Sequence, residues 1–391
     1  MRLSEPVGIA SLGLKIPSFF LDLKDFAHLR NTDPNKYEIG LGCREMALCL
    51  DQHTVVDLAL GAARRALMRR KGGLDQIGFL AIGTESGLDM SAPLTKWVAR
   101  ELRLSGALRS YEVKHACLGG TLALRQAYEW RCSPASKGKA ALVIAVDDTL
   151  YEARSPGEPT QGAGAVAMIV DEPLIAEMDP CSHSWSRPAD DFWRPVGEPY
   201  PHVDGPLSLE CYNQGALACF QAYCEDTNQT LGNFLENIKG MSFHTPFPKM
   251  VQKALGVLCE KAEITAGNPN KAKELFLEKV APHLTWNQKI GNSMTASLWF
   301  SVAQNLCGRR IGEQISAFSY GSGCGAELQL LTAGPEAQAA AWAQDLQEDF
   351  SQRTRLSAQD YDSFRTRNQA VKSGFPAAEL LQNKRGFRHA S

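Results

Sequence analysis

Three runs of this chain carry apolar or small residues at nearly every position: Ile77-Gly-Phe-Leu-Ala-Ile-Gly83, Ala140-Ala-Leu-Val-Ile-Ala-Val146 and Gly162-Ala-Gly-Ala-Val-Ala-Met-Ile-Val170. A strand with one wet face alternates apolar and polar side chains; these runs do not alternate, so they read as strands of a sheet buried on both faces. The first run passes directly into Thr84-Glu85. In open α/β sheets the chemistry gathers beyond the carboxyl ends of strands, which makes Glu85 a candidate acid or base; the plainer alternative is a cap for whatever helix follows. With 391 residues and 44% hydrophobic content, the chain can build two compact units or one large two-lobed domain.

Charge narrows the classes. Lys plus Arg (41) nearly balance Asp plus Glu (43), so nothing global argues for nucleic acid or a membrane surface as partner. The 11 cysteines are scattered without a CxxC pair, which argues against zinc and for a reduced protein whose cysteines are mostly core residues. The N-terminus lacks a signal-peptide pattern and no apolar run approaches about 20 residues, so neither export nor a membrane span is expected and the location expected is cytoplasmic.

One cysteine stands apart. Tyr111-Glu-Val-Lys-His-Ala-Cys117-Leu-Gly-Gly-Thr-Leu-Ala-Leu reads as a strand that stops at Cys117 and turns, through Gly119 and Gly120, into a helix of small residues. A thiol there faces unpaired backbone N–H groups and the positive end of the helix dipole, which favour the thiolate over a free thiol of pKa ~8.5. The glycines let an acyl group approach the backbone closely. The alternative is a small buried hydrophobe, the common fate of a free cysteine.

Elsewhere, Pro6 to Leu14 reads as a first strand, Leu23 to Arg30 as a helix, Tyr37 to Cys49 as a glycine-bearing loop, and Thr54 to Arg70 as an amphipathic helix. The 162–170 run superficially matches a dinucleotide fingerprint, but Ala167 replaces the third glycine and the apolar run continues as a strand, so a nucleotide site is excluded there. The polar loop from Asp147 carries Tyr151, which either lines a site or covers one. Residues 181–206 read as an irregular excursion between two halves. Helices are expected over 208–223 and 231–238, then a strand Gly240-Met-Ser-Phe-His244 running into Thr245-Pro-Phe247-Pro-Lys249, which holds His244 at a strand end. A histidine between two phenylalanines is also a common core residue. Asn292 lies near the start of another small-residue helix. Phe318-Ser-Tyr-Gly-Ser322-Gly is not a nucleophile elbow, since Tyr320 stands where the first glycine belongs; it reads as a nest of backbone N–H groups for an oxyanion or thioester carbonyl. From 334 onward the chain reads as a helix with loosely ordered ends.

Glu85 and Cys117 fall in the front half of the chain, His244 and Asn292 in the back half. Together with Thr84-Glu-Ser, Ala116-Cys117-Leu-Gly-Gly-Thr121, Gln161-Gly-Ala-Gly-Ala-Val-Ala, Val203-Asp-Gly, Phe243-His244-Thr-Pro-Phe, Gly291-Asn292 and Phe318-Ser-Tyr-Gly-Ser-Gly, the chain resembles the 3-hydroxy-3-methylglutaryl-CoA synthases of the thiolase superfamily, in order from about Ile9 to Leu331. The resemblance implies an α/β fold of two similar halves in five layers, αβαβα, with halves at 1–172 and 173–391 and a helical tail from about 334. It implies that Cys117 takes an acetyl group, that Glu85 is general base and acid, and that His244 assists the acceptor carbonyl. Asn292, Ser322, Tyr151, Phe247 and Lys249 are then expected to touch substrate. It further implies a homodimer, no metal and no cofactor beyond the phosphopantetheine arm of CoA or an acyl carrier protein.

Two positions depart from the family's commonest form: His115 replaces Asn and Leu118 replaces Tyr on either side of the nucleophile. By strand alternation His115 shares the face of Cys117, where it either favours the thiolate or packs. Glu112-Val-Lys-His-Ala-Cys117, Glu85-Ser-Gly-Leu-Asp89 and Ser322-Gly-Cys324 are most similar to the branch that adds a carboxymethyl group to β-ketoacyl chains on carrier proteins in polyketide assembly. The alternatives are a primary-metabolism synthase using acetyl-CoA and acetoacetyl-CoA, a decarboxylating ketosynthase built on Cys117, His244 and Asn292, and a non-catalytic carrier-binding homologue.

Overall fold

The computed structural model describes residues 5–50, 54–104 and 106–374. The front of the chain runs β1 (Gly8–Lys15), β2 (Phe19–Asp22), α1 (Leu23–Leu29), α2 (Asn35–Glu38), β3 (Glu45–Leu48), α3 (Val55–Arg69), β4 (Ile77–Gly83), α4 (Thr95–Glu101), β5 (Arg109–Val113), α5 (Gly119–Cys132), β6 (Ala140–Asp148) and β7 (Ala163–Asp171). The back runs β8 (Ala176–Ser186), β9 (Phe192–Trp193), β10 (His202–Val203), α6 (Gly205–Asp226), α7 (Leu231–Asn237), β11 (Gly240–Phe243), α8 (Pro248–Lys261), α9 (Lys271–Lys279), α10 (Asn287–Ile290), α11 (Thr295–Leu306), β12 (Gln314–Gly321), β13 (Gly325–Ala333), α12 (Ala341–Gln352), β14 (Thr354–Arg355) and α13 (Ala358–Gly374).

The three non-alternating runs became β4, β6 and β7, each buried along nearly its whole length. Their neighbours show an internal repeat. One half is ordered β1-β7-β6-β4-β5 and the other β8-β13-β12-β11. In each, the first strand pairs antiparallel with the last, the last antiparallel with the one before it, and that one parallel with the next. A short antiparallel contact of Gly8 and Ile9 with Glu177 and Ala176 joins the halves edge to edge into one nine-stranded sheet. The outer helix α3 covers β1, β6 and β7, while α6 covers β8 and β13. Between the halves lie α5, on β4 and β6, and α11, on β11 and β12, touching one another. Helix, sheet, paired inner helices, sheet, helix make the five layers, and the N-termini of the two inner helices meet in the middle.

Local chemistry accounts for the elements. Thr54 and Asp57 form a reciprocal capping box at the start of α3, and Asp204 caps the long α6 by accepting the Leu207 N–H.

Four expectations change. The loop expected over Tyr37 to Cys49 contains β3, which pairs antiparallel with β2. The strand predicted to reach Cys117 stops at Val113, because residues 114–118 turn tightly and Ala116 takes φ +42°, a left-handed conformation that costs a side-chain-bearing residue about 1 kcal/mol. The excursion expected from 181 begins only after Ser186: the preceding residues pair with β13, their polar side chains alternating outward. The tail is more ordered than composition suggests, with α12, a strand β14 added to β2, and α13 packed inward through Tyr361 and Phe364. The loose end expected of the tail lies, from 375 onward, outside the described residues. Among the described residues no helix is long and apolar enough to cross a membrane.

Candidate active site

The site forms where backbones touch. A Cβ on Gly83, at the end of β4, would lie 2.2 Å from the Gly120 nitrogen, and one on Gly120 would meet Thr295 Oγ1 at 2.6 Å and the Ala145 Cβ at 2.7 Å. Glycine is therefore required at both positions, and the close approach draws the end of β4, the start of α5 and the start of α11 to one point. At that point Cys117 donates its S–H to Glu85 Oε1 at 3.2 Å and lies 3.5 Å from Met294 Sδ. The thiol residue is 8% exposed, enclosed with Tyr151, Met294 and Phe192.

Asp147 ties these pieces together. Buried at the end of β6, its Oδ1 accepts Thr84 Oγ1–H at 3.0 Å, the Glu85 N–H at 2.7 Å and Ser86 Oγ–H at 2.8 Å, while Oδ2 accepts the Thr295 N–H at 3.1 Å. One carboxylate thus holds the Glu85 segment against the N-terminus of α11. Sequence reading placed Asp147 in a polar loop, although it stands after an apolar run as Glu85 does; the same rule would have found it.

Burial, aided by the neighbouring Asp147 charge, pushes Glu85 up to about 8; the Cys117 S–H and the Arg194 charge pull the other way. Asp147 rises to about 6, because burial outweighs its four hydrogen bonds. Cys117 is held well above the usual thiol range by burial first and by Glu85 second. This overturns the expectation of a resting thiolate: the walls that enclose the sulfur and the carboxyl 3.2 Å away cost the anion more than the helix terminus returns. The thiol rests protonated, with its hydrogen aimed at Glu85.

His244 directly follows β11 and is 2% exposed. Its N–H donates to Phe318 O at 2.7 Å, its carbonyl accepts the Tyr212 hydroxyl at 2.6 Å, and Nδ1 lies 2.8 Å from Ser297 Oγ. Ser297 Oγ also accepts the Thr245 N–H at 3.1 Å. Burial lowers the imidazole to about 3, so it is neutral. No direct bond joins His244 to Cys117 or Glu85 among the described residues; the link runs along α11, where Ser297 holds His244, Thr295 accepts the Gly120 N–H at 2.5 Å, and the preceding Met294 touches the sulfur.

Asn292 donates its N–H to Thr160 O at 2.8 Å and accepts the Met294 N–H on Oδ1 at 2.9 Å. Its side chain also hydrogen-bonds the Tyr151 hydroxyl, and Tyr151, raised by burial and by the charges of Cys117 and Glu85, stays a phenol. Both residues therefore join the sulfur. Ser322 is brought near as well: a Cβ on Gly321 would fall 2.4 Å from His115 O and 2.7 Å from the Leu118 nitrogen, so the 321–325 turn sits directly on the nucleophile turn. The nest expected there is only partial, because the Gly323 N–H goes to Asp191 Oδ1 at 2.9 Å and the Cys324 N–H to Arg187 O at 2.7 Å.

Phe247 and Lys249 form no hydrogen bond with Cys117, Glu85 or His244 among the described residues. Phe247 packs between the apolar group around Leu21 and Phe26 and the one beneath α6 and α8. Lys249 donates its backbone N–H to Leu41 O, and its ammonium has no partner among the described residues. Pro248 opens α8, with Phe247 at its N-cap. His115 packs against the 321–325 turn: its ring rests over Gly325, 2.8 Å from where a Cβ would stand. A narrow cleft lined by Glu85, Ser86, Phe192, Arg194, Pro201 and Met294 opens onto the carboxyl. Arg194, which no sequence signal marked, donates to Glu85 O at 2.7 Å.

A buried thiol and a raised carboxyl in contact, where two inner helices of repeated α/β halves meet, define a thiolase-type condensing site. The comparisons agree on a particular family. The model for the hydroxymethylglutaryl-coenzyme A synthase N terminal matches residues 3–173, and that for the C terminal matches 179–268 and 260–375. The hydroxymethylglutaryl-CoA synthase of Enterococcus faecalis is 34% identical over 326 residues, covering 82% of each chain. The structure of MvaS in complex with 3-hydroxy-3-methylglutaryl coenzyme A superposes with a TM-score of 0.86 at 35% identity, covering 96% of this chain and 93% of that one. The curacin biosynthetic pathway HMG synthase in complex with acetyl donor-ACP gives 0.85 at 29%, covering 92% and 88%. The chain belongs to the hydroxymethylglutaryl-CoA synthase family and is an acyl-transferring, carbon–carbon bond-forming synthase.

Proposed function

We propose that the chain joins an acetyl group, carried on Cys117, to the β-carbonyl of a β-ketoacyl thioester, and that the acceptor rides on an acyl carrier protein in polyketide β-branching. The 3.2 Å contact between Cys117 and Glu85 supports the chemistry most directly. In the first step the Cys117 sulfur attacks the donor thioester; its proton passes by way of Glu85 to the departing carrier thiolate, and N–H groups near Cys117 and Ser322 polarise the carbonyl. Ionised Glu85 then takes a methyl proton from the acetyl-enzyme. The enolate carbon bonds to the β-carbonyl carbon of the acceptor, whose oxygen is held by His244 and receives the proton back from Glu85. In this reading Ser297 Oγ accepts the Thr245 N–H and donates its own hydrogen to Nδ1, which leaves the ring proton on Nε2 for the acceptor oxygen. Water finally cleaves the Cys117 thioester, freeing a carboxylate branch and the thiol. The protein acts as a homodimer in this reading, and CoA or a carrier protein presents each thioester on its phosphopantetheine arm.

The carrier-protein reading is supported by the Glu112-to-Cys117 and Ser322-Gly-Cys324 motifs and by the likeness to the curacin enzyme, which was captured with acetyl donor-ACP. A second reading, acetyl-CoA with acetoacetyl-CoA, is favoured by the 34–35% identity to the Enterococcus enzyme and MvaS. Intact mass spectrometry after offering acetyl-CoA and acetyl carrier protein in parallel separates them. The carrier protein is expected to load the wild type faster, with Cys117→Ala gaining no acetyl mass; preferential loading from CoA would move the assignment to the second reading.

The pH dependence of condensation follows from Glu85. Only its ionised form accepts the methyl proton, and its folded pKa is raised to about 8, so the rate rises with pH and levels above that value. Well below it the limb climbs about tenfold per unit. His244, at about 3, contributes no limb near 6.5. Stopped-flow measurement of kcat/KM from pH 6 to 10, with stability checked at each pH, reads both features.

A further inference from the structure

The C-terminal helix reaches the site. α13 turns Tyr361, Phe364 and Arg365 inward, one helical face at i, i+3 and i+4, and Arg365 is 2% exposed. Its Nη1 donates to Gln161 Oε1 at 3.0 Å and its Nη2 to the carbonyl of Tyr151. Gln161 Oε1 also accepts the Tyr151 N–H at 2.9 Å, and Gln161 Nε2 donates to the Tyr361 hydroxyl at 2.9 Å. That hydroxyl donates to Glu158 Oε1 at 2.9 Å, and Glu158 is gripped by Arg30 at 2.6 and 2.9 Å. Both backbone polar groups of Tyr151 are therefore claimed by this cluster, while its side chain reaches Asn292 beside Cys117 and Glu85. The guanidinium also lies 5.5 Å from the centre of the Tyr200 ring, next to Pro201, which lines the cleft.

A buried guanidinium that faces two neutral oxygens and a ring is costly to desolvate. A loop could be closed more cheaply by apolar packing; what the rigid fork supplies is a fixed direction at two acceptors at once. We infer that Arg365 is a positioning residue for the acyl site: it fixes the main chain of Tyr151 so that the phenol stays against Asn292 at the sulfur. This rests on the condensing reaction proposed above and adds to it a role for the tail.

The test compares wild type, Arg365→Ala, Arg365→Lys, Tyr151→Phe and the Arg365→Ala/Tyr151→Phe double variant, reading acetyl uptake by mass and kcat and KM for condensation separately. Arg365→Ala is expected to lower kcat about thirtyfold with KM changed less than about threefold, and to cost less than about threefold more in the Tyr151→Phe background, since it acts through that residue. Arg365→Lys, which reaches one acceptor, is expected to lose about fivefold while melting near the wild type, and it carries the test if the alanine variant does not fold. Wild-type kcat in a folded Arg365→Lys or Arg365→Ala protein, or losses that multiply fully in the double variant, would overturn the inference. A wild type that takes up no acetyl group would instead overturn the functional reading, and this inference with it.

Discussion

Glu85→Gln condenses about 10²–10⁴ times more slowly than the wild type while still loading acetyl on Cys117 to within about tenfold. The two steps separate because they need the carboxylate differently. Acetyl loading exchanges one thiol for another, so the proton lost by Cys117 is regained by the departing carrier thiol and no net base is consumed. Removing the carboxylate also removes a charge that holds the thiol up. Condensation, by contrast, needs a base for a weakly acidic methyl group, and glutamine has none. Parallel mass and turnover measurements read the split. An equal loss in both steps would place Glu85 in loading alone, and full condensation with malonyl donors would make the enzyme a decarboxylating ketosynthase, which needs no such base.

His244→Ala is the second large effect. Condensation is expected to fall about 10²–10³-fold, the scale of one lost oxyanion donor, with acetyl uptake unchanged. The separation follows from the geometry: Ser297 holds the ring at Nδ1 and Phe318 O holds the His244 backbone N–H, both in the back half, and no bond joins His244 to the sulfur among the described residues. Removing a fully buried ring leaves a cavity and an unpaired Ser297, so a thermal melt accompanies the assay. A loss of acetyl uptake in a folded variant would move His244 into the loading step.

Legibility from sequence followed the range of the interactions involved. β4, β6 and β7 were visible because burial on both faces abolishes alternation within a single short run. Glu85, Cys117 and His244 were visible as chemistry placed at the ends of elements. The thiol's protonation state was not: the dipole of α5 is written in adjacent residues, whereas the walls that outweigh it, Tyr151, Phe192 and Met294, come from distant ones. Asp147 was overlooked because Asp148 and Thr149 after it read as loop, although β6 continues through Asp148. Arg194 and Arg365 carried no local mark at all. An arginine in a polar stretch reads as solvated surface, and only the fold brings Arg365 to Gln161, 204 residues earlier.

In the proposed reaction one carboxylate removes a proton from an acetyl group held on one sulfur. That step is measured most directly by loading Cys117 with acetyl, transferring the acetyl-enzyme to D₂O without acceptor, and following the mass of the acetyl group. The wild type is expected to exchange methyl hydrogen for deuterium, faster as pH rises toward 8, while acetylated Glu85→Gln protein exchanges at least about 10² times more slowly. Equal exchange in the two proteins, or none in either across that pH range, would contradict it.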